Sequence, residues 1–238
     1  MALDPGTEHE LRSYWAAELG VTADAFADEG VTVGASAGAD IELLAGDGSL
    51  VVGAPESLVP ELRNRREELG ALDLSDPDAI REVVASLASI SEVHGPAFLG
   101  YTDESSFDPV ESGARLLTRV DRPAFDRFRE AVPDSDWDAG GPEFVPDRTV
   151  GLFHEDRLVA AAGCEVWDDR IAHIGVVTHP AHRGEGNGRA VVSRATEQAL
   201  AADLLAQYRT LDAWPWSVAL AEGLGFERFA TSVLAETG

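Results

Sequence analysis

Arg183-Gly184-Glu185-Gly186-Asn187-Gly188 lies between two stretches of contrasting periodicity. Upstream, Ile171-Ala172-His173-Ile174-Gly175-Val176-Val177 is short, apolar and β-branched, as a buried strand should be. Downstream, Val191, Ala195, Ala199 and Ala202 recur at three- and four-residue spacing with Arg194, Glu197 and Asp203 between them, the pattern of a helix with one buried face. A helix therefore begins at or just after the glycines. Its first backbone N–H groups have no intrahelical partner and lie at the positive end of the helix dipole, so an anion can dock there. Glycines let the main chain approach that anion with no Cβ in the way.

The spacing selects among phosphate-binding loops. A dinucleotide fingerprint reads G-x-G-x-x-G with an acidic ribose ligand roughly 20 residues on; here the order is G-x-G-x-G. A P-loop needs lysine after its last glycine, whereas Arg189 follows Gly188 and the chain has no lysine. A nucleotide-binding α/β domain is thereby weakened, though not removed. The segment resembles the GNAT superfamily of N-acetyltransferases, whose acetyl-CoA signature is Arg/Gln-x-x-Gly-x-Gly/Ala between a strand and a helix. Arg183, Gly186 and Gly188 fill those positions, and Thr178-His179-Pro180-Ala181-His182 is similar to the family's approach to that arginine. Trp216 to Phe226, a short helix pattern ending in Gly225-Phe226, resembles the family's later motif. The resemblance covers roughly residues 113–236.

It implies a mixed α/β fold: a GNAT-like acetyl-CoA-binding domain over 107–238, with a mixed, mostly antiparallel sheet and flanking helices, preceded by a smaller α+β domain over 1–106. It also implies acetyl-CoA as cosubstrate, no metal, and direct attack by a primary amine of a small molecule or a protein. Backbone groups of Val176, Val177 and Thr178 would hold the pantetheine arm. Arg183, Gly184, Glu185, Gly186, Asn187, Gly188 and Arg189 would hold the pyrophosphate. His173 is the candidate base, because an imidazole removes protons near neutrality; Glu165 on the neighbouring strand is second, and Ser217 is a candidate near the cofactor sulfur. His179 and His182 read as loop or phosphate-side residues rather than metal ligands. The sequence departs from the family where a tyrosine often protonates the leaving thiolate: that position is Ala221, and an asparagine common near the helix start is replaced by Trp214. Release then relies on water, and a non-catalytic acetyl-CoA-binding or regulatory module is the alternative function.

Charge bounds the partners. Eighteen basic residues, all arginine, face 43 acidic ones, for a net charge of −25. An acidic, lysine-free, methionine-poor chain resembles proteins of extreme halophiles, where molar salt shortens the Debye length to roughly 3 Å. Nucleic-acid binding is disfavoured without a basic face. The single Cys164 forms no internal disulfide and fits a reducing, cytoplasmic setting; no secretory leader or membrane-length apolar run is visible. A homodimer is compatible with these features.

Along the chain, Leu11 to Leu19 with Gly20 outlines a helix and its stop. Val31–Val33, Ile41–Leu44 and Leu50–Val52 read as short strands, followed by helices over Leu58–Leu69, with Gly70 beyond its end, and from Ser75, with Ile80, Val83, Val84 and Leu87 inward. Tyr101 to Gly113, rich in Asp, Ser, Glu and Gly, reads as the linker. A strand from Ala114 through Val120, a helix from Pro123 to Val132, and a meander through Thr149–Phe153 and Leu158–Trp167 then lead to the strand before the glycines. Two more strands are expected, over Gln207–Ala213 and Glu227–Leu234.

Overall fold

The structure, a computed structural model, describes residues 2–85 and 88–238. It divides into two compact units: Leu3–Leu99 with Thr210–Val218 and Arg228–Gly238, and Gly100–Arg209 with Ala219–Glu227 and Ala2.

Helix α1 (Pro5–Leu19) begins where the Asp4 carboxylate accepts the Gly6 N–H at 2.8 Å and ends at left-handed Gly20, φ 66°. A side chain there would collide with the backbone of Ala35. Strands β1 (Gly30–Ala35), β2 (Ile41–Gly46) and β3 (Ser49–Ala54) follow, with β3 parallel to β1 and antiparallel to β2. The helix expected over Leu58–Leu69 is two short ones, α2 (Val59–Asn64) and α3 (Arg66–Gly70), because Arg65 leaves helical geometry at φ −99°, ψ 19°. Gly70 accordingly lies inside α3 rather than past its end. In α4 (Pro77–Ala85) Ile80, Val83 and Val84 are buried as their spacing predicts, while Leu87 falls outside the described residues. Strand β4 (Ile90–Thr102) forms where the sequence carries no clear strand pattern and runs two residues into the expected linker.

Past β4, that linker is a packed turn. The Asp103 carboxylate accepts the N–H groups of Ser105 and Ser106 at 2.9 Å each, Asp108 N–H donates to Leu224 O at 3.0 Å, and Val110 N–H donates to Ser193 Oγ at 2.9 Å. The strand expected from Ala114 shortens to β5 (Arg115–Leu116), since Thr118 and Asp121 form a reciprocal capping box that turns the chain. Helices α5 (Arg122–Ala131) and α6 (Asp134–Asp138) precede the meander β6 (Val150–His154), β7 (Arg157–Trp167) and β8 (Ile171–Thr178). Then come α7 (Asn187–Leu200), β9 (Leu205–Leu211) and α8 (Pro215–Glu222).

In this second unit the strands lie in the order β9-β8-β7-β6-β5. The β5–β6, β6–β7 and β7–β8 pairs are antiparallel and β8–β9 is parallel, giving a mostly antiparallel mixed sheet. Phe125 and Phe128 of α5 pack with Ala161 and Val177, while Cys164 Sγ lies 4.0 Å from Ala195 O of α7. Residues 161 and 164 point to opposite faces of β7. One helix therefore covers each face.

The last strand, β10 (Glu227–Thr237), runs antiparallel to β2, from Thr231↔Ala45 to Ala235↔Ile41, and adds Val233 and Ala235 to the core of Ile41, Val52, Leu62 and Ile80. The first unit thus includes C-terminal residues that a boundary at 106/107 assigns elsewhere. No helix among the described residues is long and apolar enough to cross a membrane.

Candidate active site

Among the described residues the β8–β9 ladder covers only Ile171–His173 against Leu205–Gln207, although β8 continues to Thr178. His179 N–H donates to Val159 O at 2.9 Å and Leu205 N–H donates to Arg170 O at 2.9 Å. Successive peptide groups of a strand face opposite edges. By that alternation the backbone groups of Val176 and Thr178 turn away from β7, toward the side where the ladder with β9 has ended. Thr178 O accepts from Arg183 Nε at 3.3 Å, which leaves both polar groups of Val176 and the N–H of Thr178 facing the opening. Val177 differs: its peptide lies on the β7 side opposite Ala161, and its side chain is in the core.

The glycine loop follows directly. Pro180–His182 makes one tight helical turn, and Gly184 (φ 78°) and Gly186 (φ 82°) are both left-handed, with nothing within 4 Å of where a Cβ would stand. Helix α7 starts at Asn187 with no side chain capping it, so its first-turn N–H groups are offered to the loop's open side. At Gly188 the fit is tighter, for a Cβ there would lie 3.1 Å from Thr178 Oγ1 and 3.3 Å from Leu220 Cδ1. Buried Asn187 braces the loop by donating from Nδ2 to His182 O at 3.0 Å and to Glu185 Oε2 at 3.2 Å.

The two arginines act on the scaffold. Arg183 reaches Asp136 of α6 at 2.6 Å as well as Thr178 O, and Arg189 donates to Gly223 O. Both guanidinium groups pin the loop to its surroundings. What remains for an anion is main-chain N–H, which suits a pyrophosphate, and the extended opening along Val176 and Thr178 suits an amide-bearing arm. The residues present therefore fit acetyl-CoA.

A polar row crosses the sheet at the last rung of the β8–β9 ladder. Glu165, His173 and Gln207 are register partners on β7, β8 and β9, so their side chains share a face. His173 Nδ1 lies 2.8 Å from Gln207 Oε1, and Gln207 Nε2 donates to the Tyr101 hydroxyl. That amide orientation places the imidazole proton on Nδ1 and the lone pair on Nε2. Trp167 stacks on the ring at 4.8 Å between centroids. Burial is the main influence lowering the His173 pKa, reinforced by Arg209 and opposed by the Gln207 hydrogen bond and the Glu165 charge. On the same face, Gly175 and Gly163 admit the loop around Gly140–Glu143: a Cβ on Gly175 would lie 2.8 Å from Gly140 O, and one on Gly163 would lie 3.0 Å from Pro142 Cβ.

The structure thus brings Glu165 and His173 together and sets Val176, Thr178 and the loop from Arg183 to Gly188 on the strand that leads from them. Ser217 lies in the first turn of α8, its N–H donating to Trp214 O at 2.9 Å. Ala221 is fully buried. Sequence reasoning missed Gln207, Tyr101 and Trp167, because the partners of His173 come from three other strands. A cleft of about 680 Å³ at Glu111, Arg115, Arg194 and Glu197 shares no residue with this site.

Residues 116–226 match the model of the Acetyltransferase (GNAT) family. Among curated proteins no match is found. Similar solved structures include a putative GNAT-family acetyltransferase from Novosphingobium aromaticivorans, at 20% identity over 63% of this chain and 68% of that one, TM-score 0.47. A GCN5-related N-acetyltransferase from Kribbella flavida gives 20% identity over 67% of this chain and 64% of that one, TM-score 0.48. YncA, a putative acetyltransferase from Salmonella typhimurium solved with its cofactor acetyl-CoA, gives 14% identity over 51% of this chain and 90% of that one, TM-score 0.39. The chain thus spans just under two thirds of the Kribbella protein.

Proposed function

We propose that this protein is an acetyl-CoA-dependent N-acetyltransferase acting on a primary amine of a small molecule or a protein, in a cytoplasm of high salt. One observation carries the reading: the ladder of β8 with β9 ends at His173, and β8 then leads into an open, left-handed glycine loop at the start of α7. The family match over the same residues supports it. Acetyl-CoA, when bound, supplies a thioester carbonyl open to attack by an amine and a thiolate that can leave.

The chain's own residues do the rest. N–H groups of the loop and of the first turn of α7 bind the pyrophosphate, and Val176 and Thr178 orient the arm by main-chain hydrogen bonds. His173, proton on Nδ1 and lone pair on Nε2, accepts the proton of the attacking amine, directly or through one water. Gln207 keeps that tautomer in place, and Trp167 excludes water from one face of the ring. Glu165, exposed at the edge of the row, favours the positive charge His173 then carries. With Ala221 buried and no tyrosine there, the thiolate takes its proton from solvent.

The test is thiol release from acetyl-CoA with a panel of primary amines in molar salt. Amine-dependent release that falls at least tenfold in His173→Ala is the expected result. Tight CoA binding with no release for any amine would instead favour a non-catalytic acetyl-CoA-binding module, the reading that the buried Ala221 supports.

A further inference from the structure

At the glycine loop lies a second arrangement, of side chains that the proposed acetyl transfer does not use. His154 ends β6, His182 closes the turn before Arg183, and Glu185 sits between the two left-handed glycines. One potential ligand atom from each lies within 4.8 Å of those of the other two. His182 Nδ1 is 3.5 Å from Glu185 Oε2, and the two imidazoles meet at right angles with centroids 5.2 Å apart. From these observations we propose that His154, His182 and Glu185 form a binding site for a divalent transition-metal ion such as zinc or cobalt.

The donor set is what such ions select. Two imidazole nitrogens and a carboxylate oxygen suit zinc and its neighbours, whereas magnesium and calcium prefer all-oxygen sites, of which an acidic surface offers many weak ones. The carboxylate is already steered: Asn187 Nδ2 holds Glu185 Oε2 and the His182 carbonyl together, an outer brace of the kind that orients metal ligands. Ligand atoms around a tetrahedral zinc, each about 2.0–2.2 Å from the ion, stand roughly 3.3–3.6 Å apart. Closing from the present spacing needs only rotation of side chains that are exposed or half-exposed. An ion held there would tie the β6–β7 turn to the loop and offset the Glu185 charge beside the anion-binding N–H groups. His154 is the member that sequence spacing could not supply.

The proposal concerns metal binding alone and does not depend on the transfer reaction. The tag-free full chain is titrated with cobalt(II) in excess magnesium, and visible absorption of the nitrogen-ligated ion is recorded. One cobalt per chain is expected, displaced by zinc, with affinity reduced at least tenfold in His154→Ala and in His182→Ala and substantially in Glu185→Gln. His94→Ala is the control, because Glu92, His94 and Glu236 form another His–carboxylate group with one imidazole in place of two; it should leave the signal unchanged. Thermal unfolding of each variant without metal should match the parent, as expected for solvent-facing positions. Absence of a nitrogen-ligated spectrum, binding that survives both His154→Ala and His182→Ala, or binding lost in His94→Ala would overturn the proposal.

Discussion

Replacing Gln207 with glutamate tests the polar row at its centre. Gln207 is fully buried, lies 2.8 Å from His173 Nδ1 and donates to Tyr101. A carboxylate of nearly the same shape would accept from Nδ1–H, and the Tyr101 hydroxyl can rotate to donate to it. An opposite charge within hydrogen-bonding distance shifts a titrating group by about 1–3 units toward its charged form. In the parent, burial holds the His173 pKa below the ordinary histidine value of about 6.5. Gln207→Glu should therefore raise the His173 midpoint by about 1–3 units, read from the imidazole C–H resonances across pH. The acid limb of kcat/KM should move up with it, since the base works only when unprotonated. Gln207→Leu separates charge from fit: it loses both hydrogen bonds, destabilises by about 1–3 kcal/mol, and does not raise the midpoint. A His173 midpoint in Gln207→Glu equal to or below the parent's would refute the reasoning.

Three further outcomes are expected. Gly225→Ala places a Cβ 1.9 Å from Ser106 O at φ 84°, and chemical denaturation should show a loss of about 2–5 kcal/mol. Gly175→Ala brings a Cβ to 2.8 Å from Gly140 O and should destabilise by about 1–3 kcal/mol; a neutral result would show that the 140–143 loop does not rest on β8. Asp121 titrates well below the usual carboxylate range, chiefly through its hydrogen bonds to Arg115, with Thr118 adding to the effect and burial opposing it. A folded pKa depressed in this way contributes stability that is full above the unfolded value of about 3.9 and disappears as pH falls through the folded one. Asp121→Asn should therefore be about 1–2 kcal/mol less stable at pH 7, the gap narrowing below about pH 4 in urea titrations.

What could be read in the sequence was local. The glycine loop, α7 behind it and the β6–β8 meander each announce themselves within a short window, through periodicity and turn residues. Register partners do not. Gln207 meets His173 across a parallel pair, and Tyr101 arrives from β4, whose outer half alternates too weakly to read as a strand. The composition of 101–113 misled for a physical reason: Asp and Ser make side-chain-to-backbone turns as readily inside a packed structure as in a linker. The break at Arg65 and the shortened β5 have a similar origin, since each depends on packing or capping that propensity alone does not reveal.

The pairing of β10 with β2 bears on how the protein is made. During synthesis, strands β1 to β3 are complete long before residues 228–238 exist, and until then the edge of β2 that β10 will cover has no partner. An uncovered apolar edge invites pairing with other chains. Expression of residues 1–106 by themselves should give an aggregation-prone fragment, and residues 107–238 by themselves would carry a strand with nowhere native to go. Any dissection of this protein into pieces must therefore keep its last strand with its first hundred residues.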